Sequence, residues 1–441
     1  MSTTDGVLPT VGERILAVLS HLGLDKAHFC CRESADALNL LASGSARVAS
    51  LTMLGTGSQL SDFDAVSGRM LWLVGDAGPA ATRMRRQLAE RPDIPVRWLL
   101  DYPEFMWSDT VAERTQEVVD AVMGFLAKMD AGATPSESVA LSGEGEVAGI
   151  TFRAAGSGTP VVLLPLGLSA RQWDPLLSQL QAQHCTVVLG GAHLQPVANL
   201  EARADSAYSD MALGVLDLAA VKADKSLIEV GCGSGALLRR IAQRIDASSV
   251  TGLDVNSFLL REARALAAQQ NLADRLILRQ GSAENIPFPD SSFDVTFSST
   301  VMEEVNADRM MAELVRITRP GGRVVVVVRA VDRPLWTNLQ LPAGLRDKVE
   351  HGGAGGRAQH GCADESLYRR FRDAGLQAIR GGPSWACVQL SEPYWRNVED
   401  RVIATLTSEE AQEWRRCVEA ARTEGLPAWI ARPFHCAVGL K

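Results

Sequence analysis

Three glycines at alternate positions, Gly231, Gly233 and Gly235 in GCGSG, separate the apolar run SLIEV from ALLRRIAQRI, where Ala236, Leu237, Ile241 and Ile245 recur near helical spacing. A strand entering a helix through such a turn lets a ligand approach bare backbone and the helix N-terminus. Taken by itself the pattern also describes a structural turn in any doubly wound sheet. About twenty residues further on, VTGLDVN reads as a second strand ending at Asp254, where a carboxylate can accept both hydroxyl hydrogens of a ribose. The turn lacks the final glycine spacing of dinucleotide folds and holds no basic residue for a pyrophosphate, which favours a nucleoside without phosphates over NAD.

Other residues offer chemistry with a plainer reading beside each. Glu303 and Glu304, in EEVNADRMMAELVRI, suit a general base or a cation-binding pair; the alternative is solvated acids in the first turn of a helix. His351 and His360 lie in HGGAGGRAQHGCADE, glycine-rich enough to be a mobile loop; they either close over a substrate or have no role. Tyr208 and Met211 either close over the ligand or pack in the core. Trp336, Tyr368, Trp385, Tyr394 and Trp395 are candidates for the wall of an apolar acceptor pocket, or for core. Cys362 has no adjacent base and reads as an inert thiol.

The elements that must position these residues fall into regions of different texture. With 441 residues the chain suggests two or three domains. Apolar strands and amphipathic helices alternate over 1–130, DAGATPSESVALSGEGEVAG reads as a linker over 131–149, and a short strand–helix–strand segment covers 150–200. Region 201–441 opens with a connecting helix around Ala202 to Ala220 and then alternates strand and helix. That pattern implies an α/β architecture with a parallel sheet covered on both faces. No apolar run approaches the roughly 20 residues needed to cross a bilayer, so membrane insertion is not expected. The N-terminus has no signal-peptide pattern, which points to a reducing, cytoplasmic setting in which the eight cysteines are thiols. Those cysteines have no metal-ligand spacing, so no metal is expected. A net charge of −8 gives no reason to expect nucleic acid, and a small molecule is the expected partner.

Between Tyr208 and Ala330 the stretches EVGCGSG, LDVN, GSAENIPFPDSSFD and RPGGR follow one another in this order. Together they resemble the motifs of class I S-adenosylmethionine-dependent methyltransferases, in particular the quinone C-methyltransferase branch. The resemblance implies a Rossmann-like domain over 201–441, S-adenosylmethionine as cofactor with S-adenosylhomocysteine as product, and methyl transfer to a small-molecule acceptor. It implies that Glu229, Gly231, Gly233 and Gly235 contact the methionine part, with Cys232 in the same turn and Tyr208 ahead of it. Asp254 would hold the ribose, Val255 would lie beside the adenine, Ser282 and Ala283 would line its edge, and Ser298 completes the set. Many relatives carry Asp where this chain has Ser282. The segment SSTVMEEV would face the methyl group, which makes Glu303, Glu304 and His360 the catalytic candidates. A cofactor-binding regulatory or partner subunit, and a hydrolase with an accessory domain, are the alternatives.

The N-terminal region resembles an α/β-hydrolase split into two halves in reversed order. VGERILAVLS through VASLTML resembles the nucleophile-elbow half, but the turn reads Cys31-Arg32-Glu33-Ser34-Ala35, with Glu33 in the serine position and neither elbow glycine. Asp76 matches the family's acid, and no His follows VRWLLDYPEFMW where the triad would end. GITFRAAGSGTPVVLLPLG through CTVVLGGAHL resembles the first strands, with Pro165-Leu166 in place of the oxyanion His-Gly and Gly190-Gly191-Ala192 in place of Asp-Arg-Gly. A circularly permuted, catalytically silent hydrolase-like domain is the expectation. Separate packing of the two pieces, or their exchange between two chains of a homodimer, is the alternative.

Overall fold

The computed structural model describes residues 10–32, 34–55, 60–92, 94–103, 108–132, 137–191, 194, 196–219, 225–245, 250–351, 358–392, 394–403 and 405–441. The chain forms two compact units, Met1–Ala198 and Asn199–Lys441.

In the first unit, β1 (Ala27–Cys31), β2 (Val48–Leu54), β3 (Met70–Ala77) and β4 (Val96–Pro103) come from the N-terminal segment. The remaining strands, β5 (Val139–Ala140), β6 (Gly143–Val147), β7 (Ile150–Ala155), β8 (Ser157–Leu163) and β9 (His184–Gly190), follow helix Thr115–Asp130. The sheet order is β4-β3-β2-β1-β8-β9-β7-β6, with β5 beside β8. Parallel pairing of β1 with β8, Phe29 opposite Val162, joins the two segments within one chain, so they neither pack separately nor need a second chain. Every residue of β1 and of β9 is buried, as central parallel strands covered on both faces require. The stretch read as a linker is partly sheet: β6 runs antiparallel to β7 with Gly145 opposite Phe152, and the Gly145 Cα faces that ring closely. Of the hydrolase-like positions, Glu33 and Ala192 lie outside the described residues, and Ser34 opens helix Ser34–Gly44 with its side chain outside them. Asp76 accepts the Tyr102 N–H at 3.3 Å.

The second unit contains β10 (Leu227–Val230), β11 (Val250–Asp254), β12 (Leu276–Gln280), β13 (Phe293–Ser299), β14 (Thr318–Arg329), β15 (Trp336–Thr337), β16 (Gln377–Gln389) and β17 (Trp429–Leu440). Their order is β12-β11-β10-β13-β14-β17-β15, with β16 on β17. Strands β10 to β14 are parallel, but β17 runs antiparallel to both β14 and β16, which corrects the expectation of a wholly parallel sheet. From β10 the chain builds outward to β11 and β12, then returns to the other side for β13 and β14. That reversal makes the C-terminal ends of β10 and β13 the switch point of the sheet, the place where open α/β sheets bind ligands. The connecting helix is two helices, Pro196–Ala204 and Ala207–Asp217, because Ser206 caps the second by accepting the Tyr208 N–H. Among the described residues no helix is long and apolar enough to cross a membrane.

Candidate active site

All three glycines of the turn after β10 are in the left-handed region, with φ of 79°, 55° and 71° for Gly231, Gly233 and Gly235. A Cβ on Gly231 would stand 2.1 Å from Val301 Cγ2, so both backbone and space demand glycine there. The Gly231 and Cys232 N–H groups donate to Leu253 O on β11, tying the turn to the neighbouring strand. At the end of β11 the Asp254 carboxylate accepts the Gly233 N–H on Oδ2 at 2.8 Å and the Asn256 N–H on Oδ1 at 2.9 Å. Each oxygen keeps a lone pair for a further donor. Val255, next to it, is 59% exposed.

Glu229, on β10, is buried, and its Oε2 has no hydrogen-bond partner among the described residues. Burial, with the negative charge of Asp254, pushes its pKa up to about 8. Over this edge runs the end of helix Pro196–Ala204, which places Leu200 Cδ1 3.5 Å from where a Gly233 Cβ would be. Glu201 accepts the Ser234 hydroxyl at 2.9 Å and pairs with the buried Arg239, whose Nη1 donates to Ser234 O at 2.8 Å. Arg203 reaches Thr300, just past β13, donating from Nη2 to Oγ1 at 3.3 Å, and its guanidinium lies 4.3 Å from the Tyr208 ring centre. The Tyr208 hydroxyl shares a 2.6 Å hydrogen bond with Ser299.

Glu303 is fully buried and stands before the helix, not in its first turn; the helix starts at Ala307 with Asn306 as its cap. Its Oε1 accepts Arg329 Nε at 2.8 Å, while Oε2 has no partner among the described residues. Burial raises its pKa, against the pull of Arg329. The described end of the glycine-rich segment is stitched onto it: Ala358 N–H donates to Glu303 O, Cys362 N–H to Met302 O, and a Cβ on Gly361 would meet Glu303 O at 2.2 Å. Glu304 is exposed, with its carboxylate 4.0 Å from Arg329. His360 is exposed, and its carbonyl accepts the Ala307 N–H.

The structure thus brings Tyr208, Glu229, the three glycines, Asp254 and Val255 to one edge of the sheet. Ser282 and Ala283 follow β12, where Gly281 N–H donates to Asp254 O and the Ser282 hydroxyl accepts the Glu284 N–H. Two candidates are turned inward. Ser298 is buried and gives its hydroxyl to Val230 O at 2.8 Å, and Cys232 is a buried thiol whose N–H is spent on Leu253 O. Arg203 and Glu201 were missed, although EARAD directly ahead of Tyr208 is a charged cluster with an assigned helix.

Residues 228–326, from β10 into β14, match the family model of a methyltransferase domain. The second unit carries a methyltransferase domain. Tocopherol O-methyltransferase of Arabidopsis thaliana is 32% identical over 132 residues, 30% of this chain and 36% of that protein. The ubiquinone/menaquinone biosynthesis C-methyltransferase UbiE of Hahella chejuensis is 30% identical over 114 residues, 25% of this chain and 46% of that protein. The 27-O-demethylrifamycin SV methyltransferase of Amycolatopsis mediterranei is 27% identical over 207 residues, 46% of this chain and 70% of that protein. The match to the tocopherol and quinone relatives spans less than half of their length. The matched methyltransferase segment contains the glycine turn, Asp254 and Glu303; Arg203 and Tyr208 precede it.

Proposed function

We propose that the chain transfers a methyl group from S-adenosylmethionine to a small-molecule acceptor, with the switch point at the ends of β10, β11 and β13 as its cofactor site. The observation that carries this reading is the pair of carboxylates flanking a glycine turn, one of them with a buried oxygen that has no partner among the described residues. Glu229 Oε2 suits the cofactor's α-ammonium, and the remaining lone pairs of Asp254 suit the two ribose hydroxyls. Val255 and Ala283 offer apolar surface to the adenine, and the backbone around Gly233 offers close approach to the methionine part. When bound, the cofactor supplies a methyl group already activated by its sulfonium charge. The chain's residues then have to orient the acceptor, exclude water and take up a proton. Of the three catalytic candidates Glu303 has the burial for that, whereas Glu304 and His360 are exposed. The names of the relatives support an organic small-molecule acceptor. Calorimetric titration with S-adenosylmethionine, S-adenosylhomocysteine and NAD tests the reading. Micromolar binding of the first two and no NAD signal is expected; absence of binding by either overturns it.

The first unit reads best as a permuted α/β-hydrolase-like domain without hydrolase chemistry. Support comes from its strand order and from β7, which opposes β9 in an otherwise parallel centre. Arg32, in the expected elbow, donates to Ser108 O at 3.0 Å and to Leu166 O at 3.5 Å, which sets a cation across the expected oxyanion region. No turnover of 4-nitrophenyl acetate is expected; turnover above the buffer rate would overturn this part.

A further inference from the structure

We propose, resting on the methyl-transfer reading above, that residues Leu200 to Asp205 form a strap over the glycine turn, and that Glu201 latches it and so sets how fast the cofactor enters and leaves. Leu200 is the cover. Its Cδ1 stands 3.5 Å from the place of a Cβ on Gly233, so it rests on the bare backbone that this reading gives to the cofactor's methionine part, and a ligand approaching that backbone has to displace it. Among the described residues the strap is joined to the turn and the sheet by side chains: Glu201 to Ser234 and Arg239, Arg203 to Thr300, and Asp205 to Arg240. Ser206, extended at φ −108° and ψ 176° between two helices, is the joint on which it swings.

The latch works through a buried charge. Arg239, 1% exposed, donates from Nε to Gln270 at 3.1 Å, from Nη1 to Ser234 O at 2.8 Å and from Nη2 to Glu201. Gln270 closes helix Ser257–Gln269 and Ser234 belongs to the turn, so both stay with Arg239 when the strap moves. Glu201 is the one of the three that travels, and it is also the one that carries the countercharge. Lifting it leaves a buried guanidinium facing two neutral acceptors, which is far costlier than parting an exposed pair such as Asp205 and Arg240. The same carboxylate accepts the Ser234 hydroxyl at 2.9 Å, so a single side chain ties the strap to the turn and to the helix that follows it. A latch that acts alike on the empty and the loaded site slows entry and exit by one factor and leaves affinity unchanged. A residue that merely shapes the turn differs, because its loss speeds exit without speeding entry.

Surface plasmon resonance of S-adenosylhomocysteine over the immobilised full chain gives both rate constants. Glu201→Gln keeps an oxygen for the Ser234 hydroxyl and turns an NH₂ group toward Arg239, which removes the latch and spares the turn. Its association and dissociation rate constants should both rise at least about fivefold, with Kd within about threefold of wild type. Glu201→Ala also takes the acceptor from Ser234, so it should raise both rates and weaken binding. Leu200→Ala thins the cover without touching a buried charge; it should raise both rates as well, and it carries the test if the Glu201 variants do not fold. A faster exit with no faster entry in Glu201→Gln overturns the proposal, as do unchanged rates in Leu200→Ala. Wild-type association at about 10⁷ M⁻¹s⁻¹ or faster overturns it too, since that leaves nothing to gate. Those results leave the cofactor reading standing, whereas a wild type that binds no S-adenosylhomocysteine overturns that reading and the latch with it.

Discussion

Asp254→Asn separates the two tasks of this carboxylate. In the folded chain each of its oxygens already accepts one backbone N–H, Gly233 at 2.8 Å and Asn256 at 2.9 Å. An amide has one acceptor oxygen. Whichever way it turns, one backbone N–H meets an NH₂ group instead, and one ribose hydroxyl loses its acceptor. An unsatisfied, largely buried N–H costs about 1–3 kcal/mol, and that cost falls on folding stability. A hydrogen bond to an ionised acceptor is worth about 1.5–3 kcal/mol, so S-adenosylhomocysteine affinity should fall by about tenfold to 150-fold. Calorimetric titration measures the second loss and urea unfolding the first. An S-adenosylhomocysteine analogue lacking both ribose hydroxyls should show a much smaller difference between variant and wild type. A folded variant that binds S-adenosylhomocysteine within twofold of wild type would remove Asp254 from the ribose site.

Three other outcomes follow from the geometry. Because Glu229 sits at about 8 without ligand and must be ionised to meet an ammonium, S-adenosylhomocysteine binding near neutral pH should release a proton and strengthen as pH rises to that value; Glu229→Gln should abolish the release, measured by calorimetry in buffers of different ionisation enthalpy. Gly231→Ala should cost about 2–5 kcal/mol, combining left-handed strain with the Val301 clash, and Val301→Ala in that background should return the clash share; strictly additive urea-unfolding energies would refute this account. In the first unit, His28 pairs with Ser50 Oγ at 2.7 Å and Asp130 at 3.0 Å, while Thr159 bridges Asp130 to His184. Burial lowers both histidine pKa values despite Asp130, so the unfolded chain takes up protons first: stability should hold above the ordinary value of 6.5 and decline as pH falls below it, by up to about 1.4 kcal/mol per pH unit for each histidine, with a shallower decline in His28→Gln.

What could be read in advance was whatever lies within one strand and its turn. The glycines and Asp254 declare themselves because their task is set by backbone conformation and short spacing. Arg203 does not, because its bond to Thr300 depends on where helix Pro196–Ala204 lies against the end of β13, and a periodic pattern tells which face of a helix is buried but not what it meets. Glu303 could be read either as a base or as a solvated helix acid for the same reason: Ala358–Cys362, more than fifty residues away, fold back onto it. The antiparallel β17 was hidden too, since alternation of strand and helix fixes layers and leaves open the direction of a strand added at the end.

The same difference divides the candidate site into halves that should respond differently to change. Its cofactor half is built on β10, β11 and the turns that leave them, held by backbone hydrogen bonds that leave little latitude at Gly231 or Asp254. Beside it Arg203, Glu303 and Arg329 stand on separate segments, held by side-chain bonds alone: Arg203 donates to Thr300 and Arg329 to Glu303. Ser234 is the place where the halves meet, since its hydroxyl and carbonyl are tied to Glu201 and Arg239, and Glu201 lies two residues from Arg203 on the same helix. Removing the Glu201 carboxylate leaves the buried Arg239 short of its charge partner and should disturb the Ser234 turn and the helix that carries Arg203 together, which Asp254→Asn does not.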